Sequence, residues 1–146
     1  MATQSNTARW TDVAVLISRL IFAAVFLMAV SFKLMGIGST AAYIAAAGLP
    51  FATLLAWLAA LLELALIAGF LSGAYFSETA LVAAAYVLFL GIVFHGPAHW
   101  GKSQDEFGFF VDHFTFIAGL LFAAAHGPGR VLAMDRGFLR PASTAG

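Results

Sequence analysis

The chain has no cysteine and few charged residues. Of its 146 residues, only 10% are Asp, Glu, Lys or Arg, and seven acids balance seven bases. Without cysteine there are no disulfides, thiol relays, iron–sulfur ligands or cysteine zinc sites. Soluble domains carry about 25% charged residues, and a formal net charge of zero gives no electrostatic basis for binding nucleic acid. These absences exclude a soluble redox domain and a nucleic-acid-binding domain.

What fills the chain instead is apolar sequence, 62% of all residues. About 20 helical residues cross the roughly 30 Å hydrocarbon core of a bilayer, and four runs are long enough. The pattern predicts an all-α fold, a four-helix transmembrane bundle forming a single membrane domain over 1–146, with the lipid bilayer as its first partner. The predicted spans are about 13–34, 51–71, 76–94 and 107–125, with a short interfacial helix over 40–47 and disordered or interfacial segments at 1–10 and 137–146.

The cations are distributed unevenly about these four spans. An even number of spans brings both termini to one side, and arginines are concentrated there. The cations on that side are Arg9, Arg130, Arg136 and Arg140, and those on the other side are Lys33 and Lys102. By the positive-inside rule, both termini are predicted to be cytoplasmic.

Arg19 and Glu63 form a first group of ionisable residues inside the predicted spans. Glu63 interrupts the second span, where a carboxylate costs on the order of 2.5–3.5 kcal/mol to insert unless it faces a protein interior. Arg19 lies in the first span at a similar distance from the cytoplasmic side, so we expect a direct Arg19–Glu63 ion pair. Such a pair either fixes the register of the helices or takes part in proton or substrate handling, and the sequence leaves both readings open.

A second polar group is predicted at the opposite end of the bundle. Lys33 ends the first span, His95 ends the third, and Asp112 and His113 enter the fourth. We expect Asp112 on the inward face of that helix with Thr115, Gly119 and Ala123. The four residues Lys33, His95, Asp112 and His113 would form an outer pocket for a quinone headgroup or a docking face for a partner protein.

Three histidines raise the question of a metal. His95, His99 and His113 are the candidate ligands, but Pro97 separates the first two, so they lack the helical i, i+4 spacing. Nothing else in the pattern fixes a coordination geometry. We therefore predict no metal site.

Several short motifs, in this order, resemble the DoxX/DoxD family of small bacterial membrane proteins. They are intramembrane Arg19, Phe32-Lys33-Leu34-Met35-Gly36, Ala47-Gly48-Leu49-Pro50, Glu63 within Leu61-Leu62-Glu63-Leu64, His95, and Gly127-Pro128-Gly129-Arg130 with Asp135-Arg136. The resemblance covers nearly the whole chain and implies a four-helix bundle in the bacterial inner membrane.

The resemblance also implies two classes of function. Similar proteins are described as the membrane subunit of a thiosulfate:quinone oxidoreductase or as partners of oxidative-stress enzymes, which implies other protein subunits and a quinone. The alternative is a non-catalytic assembly, anchoring or small-solute transport protein with a structural Arg19–Glu63 pair. No redox cofactor motif is present, so we do not expect the chain to catalyse a reaction alone.

Overall fold

Four long apolar helices and one short helix make up the structure, a computed structural model that describes residues 2–101, 103–134 and 136–139, with side chains from residue 9 onward. Within these residues there is no β-strand, and four helices are long and apolar enough to cross a membrane. The predicted four-helix bundle with a short helix after its first span is confirmed. The helices are α1 (Ala2–Met35), α2 (Ile37–Ala46), α3 (Ala52–Ser72), α4 (Phe76–His95) and α5 (Gln104–His126).

The predicted boundaries differ from the structure mainly in the first helix. α1 begins at Ala2, so residues 2–10, for which a disordered or interfacial segment is predicted, are helical. α2 begins at Ile37 rather than at residue 40, because the chain interrupts its helical path only at Gly36. Of the predicted C-terminal segment 137–146, residues 140–146 lie outside the described residues, as do Lys102 and Arg140 of the orientation argument.

Local signals in the sequence account for where the helices end. The Ser103 side chain caps α5 by accepting a hydrogen bond from the backbone N–H of Asp105 at 3.2 Å, as N-cap serines commonly do. Gly73 and Gly127 follow α3 and α5 with φ of 71° and 88°, backbone conformations that glycine adopts without steric cost. These glycines turn the chain sharply after each helix.

The core combines aromatic rings with small residues. Phe22 and Phe26 of α1 pack against Phe70 of α3 and Phe116 of α5, with ring centroids 5.3–6.0 Å apart. On the stripe of α3 that precedes Glu63, Ala56 and Ala60 are fully buried. Small residues allow neighbouring helices to approach closely, which is the usual basis of packing between transmembrane helices.

The two ends of the bundle are closed by different segments. At one end, here called the outer end, α1 and α4 finish, and the short helix α2 packs Ala41 and Ile44 against α3. At the other, inner end, the segment after α5 crosses the bundle. Its Met134 N–H donates to the Ser72 carbonyl at 2.9 Å, and Glu78 accepts hydrogen bonds from the backbone N–H groups of Phe138 and Leu139.

Candidate functional site

Arg19 is fully buried at the inner end, and among the described residues it donates only to main-chain carbonyls. Its Nε bonds the Phe70 carbonyl at 2.9 Å, and its two terminal nitrogens bond four more. All five N–H groups of the guanidinium are thereby used. The other four acceptors are the carbonyls of Leu71, Pro128, Val131 and Leu132, at 2.6–3.3 Å.

The predicted Arg19–Glu63 ion pair is therefore wrong. Glu63 lies seven residues before Phe70 on α3, about 10 Å along the helix axis from Arg19's first acceptor. Carbonyls at the end of α3 have no intrahelical partners and carry the negative end of the helix dipole. They satisfy the arginine without a carboxylate.

Glu63 pairs with a different cation of α1. Its Oε1 accepts a hydrogen bond from Lys33 Nζ at 2.8 Å and another from the Tyr86 hydroxyl at 2.9 Å. Glu63 is 1% exposed, and within the described residues its Oε2 is buried without any partner. The Lys33–Glu63–Tyr86 cluster thus joins α1, α3 and α4, and it retains one unused acceptor.

A second pair of polar side chains lies nearer the outer end. The His95 Nδ1–H donates to Glu106 Oε2 at 2.8 Å, and the His95 ring is 5.2 Å from that of His113. His113 donates its own Nδ1–H to the Phe109 carbonyl at 2.6 Å. Both imidazoles are therefore oriented by an acceptor on one side of the ring, and Nε2 of each is left for a ligand.

The close approach of α4 and α5 positions His113. Gly91 lies directly beside it, and a Cβ at that position would come within 3.1 Å of the His113 Cβ. The absent side chain lets α5 pack His113 against α4. Gly91 is therefore the steric basis of the contact between α4 and His113.

Asp112 does not join this group. It is exposed on α5, as is Thr115, while His113, Phe116 and Leu120 face the bundle. Successive helical residues are rotated by about 100°, so a helix that turns His113 inward turns Asp112 away. The prediction that Asp112 lies on the inward face, in the outer pocket, is therefore wrong.

The candidate metal ligands are only partly brought together. His95 and His113 are neighbours, but His99 is not grouped with them, and its buried Nδ1 has no partner in the described part of the chain. No group of three potential His, Cys, Asp or Glu ligands occurs among the described residues.

A cavity of about 860 Å³ lies between the helices at the outer end. Its walls are mostly aliphatic and aromatic side chains of α1, α2, α3 and α4. It opens on the outside of the bundle, because Phe32, Leu58 and Phe89 line it and are also exposed. Four of its lining residues carry the polar groups described above: Lys33, Tyr86, His95 and His113.

Most of the residues of this site lie in a part of the chain that matches a known family. The DoxX family model matches residues 14–96, more than half of the chain. The chain belongs to the DoxX family. It matches no curated protein and no solved structure. The DoxX match includes Lys33, Glu63, Tyr86 and His95 and ends before α5, which supplies Glu106 and His113 to the site.

Sequence reasoning missed two residues of the site in this DoxX-family chain. Tyr86 is the only polar side chain between Ala80 and Phe94 of α4. A single hydroxyl in the middle of an apolar span indicates a polar partner inside the bundle. Glu106 precedes His113 by seven residues, two helical turns, so both lie on one face of α5. That register distinguishes Glu106 from the adjacent Asp105.

Proposed function

We propose that this chain is the membrane subunit or partner of a quinone-linked redox complex, and that its outer cavity binds the quinone. The observation that carries the proposal is the cavity itself. It opens between the apolar spans, it is apolar on most of its surface, and seven polar side chains line it, including Lys33, His95 and His113. Its volume of about 860 Å³ falls within the roughly 300–1,000 Å³ typical of small-molecule sites.

The polar side chains fit the headgroup of a quinone, whose two carbonyl oxygens accept hydrogen bonds. The Lys33 ammonium has three N–H donors, and one of them donates to Glu63. His95 and His113 each keep Nε2 after bonding through Nδ1. Apolar side chains such as Leu58 and Phe89 line the same cavity and suit an isoprenoid tail.

A quinone, when bound, supplies the capacity to carry electrons and protons together. The residues of this chain contribute binding, orientation and proton handling. Oε2 of Glu63 is an unused acceptor behind Lys33 and Tyr86, and it is the atom on which we expect a proton to be held. The Glu106 carboxylate orients His95, as a carboxylate does for a histidine that exchanges protons.

The experiment is a titration of the purified protein with decylubiquinone, followed by tryptophan fluorescence quenching. The Trp100 indole donates to the His95 carbonyl at 2.9 Å, so a variant with Trp10→Phe and Trp57→Phe reports on the outer end. In that background we expect saturable quenching. Lys33→Met and His95→Ala should each weaken binding about tenfold, because each removes a polar contact worth on the order of 1.5 kcal/mol.

Asp112→Asn is the matched control, since Asp112 carries a charge but does not line the cavity. It should bind decylubiquinone as the parent does. Equal affinity for all variants, or no saturable quenching in the parent, would refute the quinone proposal and favour the assembly or transport class.

We further propose the bacterial inner membrane as the location, with both termini and the inner end cytoplasmic. The support is the arginine content of the inner end, where Arg9, Arg130 and Arg136 lie. Because the chain has no cysteine, single cysteines at Ala2 and Gly101 can be labelled in intact cells with an impermeant maleimide. Gly101→Cys should react and Ala2→Cys should not, and the reverse result would invert the orientation.

A further inference from the structure

The outward surface of α5 is unusual for a helix in contact with lipid. Of the four spans, α5 has the lowest mean hydropathy. It also buries only Leu120, whereas α4, of similar length, buries seven residues. A helix that leaves most of its surface exposed to lipid should be the most apolar of the set. α5 instead combines the lowest mean hydropathy of the four spans with the smallest buried share.

Asp112 is the residue of this surface that is least compatible with contact with lipid. It is exposed, and it has no hydrogen bond or ion pair within the described part of the chain. It lies eight residues after the start of α5, about 12 Å along the helix axis. Thr115, one turn further, is also exposed on this side. A carboxylate held against lipid within an apolar span is costly, and such residues in membrane proteins face protein or water.

Within the part of the chain that the structure describes, no cation is paired with this carboxylate. α5 contains no lysine or arginine, and its three acids are Asp105, Glu106 and Asp112. Glu106 is bonded to His95, and Lys33 is bonded to Glu63. The charge on the exposed surface of α5 is therefore negative, and the described residues leave it uncompensated.

We propose that the face of α5 around Asp112 and Thr115 is the docking surface for a transmembrane helix of another protein that carries a lysine or arginine at the depth of Asp112. Such a helix covers the polar stripe, and its cation compensates the carboxylate. Polar contacts of this kind are a recognised source of association between helices in membranes. The small residues Gly108 and Ala118 on the exposed part of α5 allow close approach.

A second copy of this chain does not meet the requirement. A two-fold dimer places the same patch on both sides of the interface, so the two Asp112 carboxylates would face each other with no cation on α5 to separate them. The occupant is therefore a different protein. This inference depends on α5 alone, and it stands or falls separately from quinone binding in the cavity.

The test uses a model partner in phosphatidylcholine vesicles. The probe is a Leu/Ala transmembrane peptide of 23 residues, the length of α5, with one lysine about 12 Å from its labelled end. The full chain carries a donor fluorophore on Gly101→Cys, where a Cβ meets nothing within 4 Å. We expect energy transfer to report binding of the lysine peptide that is about threefold to thirtyfold tighter than binding of a matched leucine peptide.

Asp112→Asn should abolish this preference for the lysine peptide. Asp105→Asn removes an exposed acid from the first turn of the same helix and should leave the preference unchanged. Equal binding of both peptides by the parent chain, or an undiminished preference in Asp112→Asn, would overturn the proposal. Energy transfer between two differently labelled copies of the chain, stronger than that with the lysine peptide and lost in Asp112→Asn, would assign the face to a second copy and would also overturn it.

Discussion

Two cations of α1, 14 residues apart, have opposite hydrogen-bonding environments. Arg19, at the inner end, directs all five of its N–H groups to carbonyls and lines no part of the outer cavity. Lys33, toward the outer end, bonds one carboxylate and lines the cavity. The first arrangement is complete without any ligand. The second leaves lysine donors and a carboxylate oxygen unused.

The difference shows that a buried charge in a membrane is not by itself a mark of a functional site. A guanidinium saturated by carbonyls can only hold elements together, because a ligand would have to displace an existing bond. Around Lys33, a buried acceptor on Glu63 lacks a partner and a cavity is adjacent. Incomplete hydrogen bonding beside open space distinguishes the outer end. The following predictions test that contrast, beginning with the largest effect.

Arg19→Leu should be the most destabilising substitution in the chain. It leaves five carbonyls at the inner end without this donor, and we expect a loss of about 3–5 kcal/mol in the free energy of unfolding. Titration with sodium dodecyl sulfate, followed by circular dichroism, measures the loss. Arg130→Ala, which removes an arginine that is 78% exposed, is the control. A normal unfolding transition for Arg19→Leu would mean that the carbonyl network contributes little.

Glu63→Leu should cost less, about 2–3 kcal/mol, because Lys33 retains partial access to solvent. The Lys33→Met/Glu63→Leu double variant should be more stable than Glu63→Leu alone, since it removes the uncompensated ammonium. The same unfolding titration gives the coupling energy, which we expect to be about 1–3 kcal/mol. Additive effects of the two substitutions would show that the ion pair is not energetically coupled.

Tyr86→Phe should destabilise the protein by about 1–2 kcal/mol, the worth of one hydrogen bond to a charged group. Tyr43→Phe provides the comparison. Tyr43 also lines the cavity, but its ring stacks on Phe94 and it makes no hydrogen bond to Glu63. If both variants lose the same stability, the Tyr86 hydroxyl does not support Glu63 in the way the structure indicates.

Glu106→Gln should have the smallest effect on stability, below about 1 kcal/mol, because both His95 and Glu106 are partly exposed. Its effect should appear in ligand binding. The glutamine oxygen is a weaker acceptor than the carboxylate and holds the His95 ring less firmly, so we expect decylubiquinone to bind about threefold more weakly in the fluorescence titration. Asp105→Asn, one residue away, should leave the affinity unchanged. Loss of unfolding stability without any change in affinity would make Glu106 purely structural.

The fold could be predicted from the sequence because hydrophobic length determines how many helices cross the bilayer. The pairing of charges could not be predicted, because it depends on how each helix is rotated about its axis. It also depends on main-chain groups, which a pattern of side chains does not show. Glu63 was correctly expected to be buried, but its partner was misassigned. The carbonyl acceptors of Arg19 are main-chain atoms that every residue possesses, so no side-chain pattern indicates them.

The outer pocket illustrates the same limit on a smaller scale. Lys33, His95 and His113 line one cavity. The prediction for Asp112 is wrong because successive side chains on a helix point in directions about 100° apart. Only one of Asp112 and His113 can therefore face inward. Gly91 leaves room for the His113 imidazole against α4. The contact between Gly91 and His113 depends on which helix packs beside α5.

The carbonyl network of Arg19 also imposes an order on biosynthesis. Three of its five acceptors, on Pro128, Val131 and Leu132, follow it in the chain by 109 to 113 residues. At the usual 5–20 residues per second, the ribosome needs about 6–23 s to add them. Until then the guanidinium must keep water or lipid headgroups as partners. The inner end of the bundle is therefore completed last, when the final segment docks across a helix that entered the membrane first.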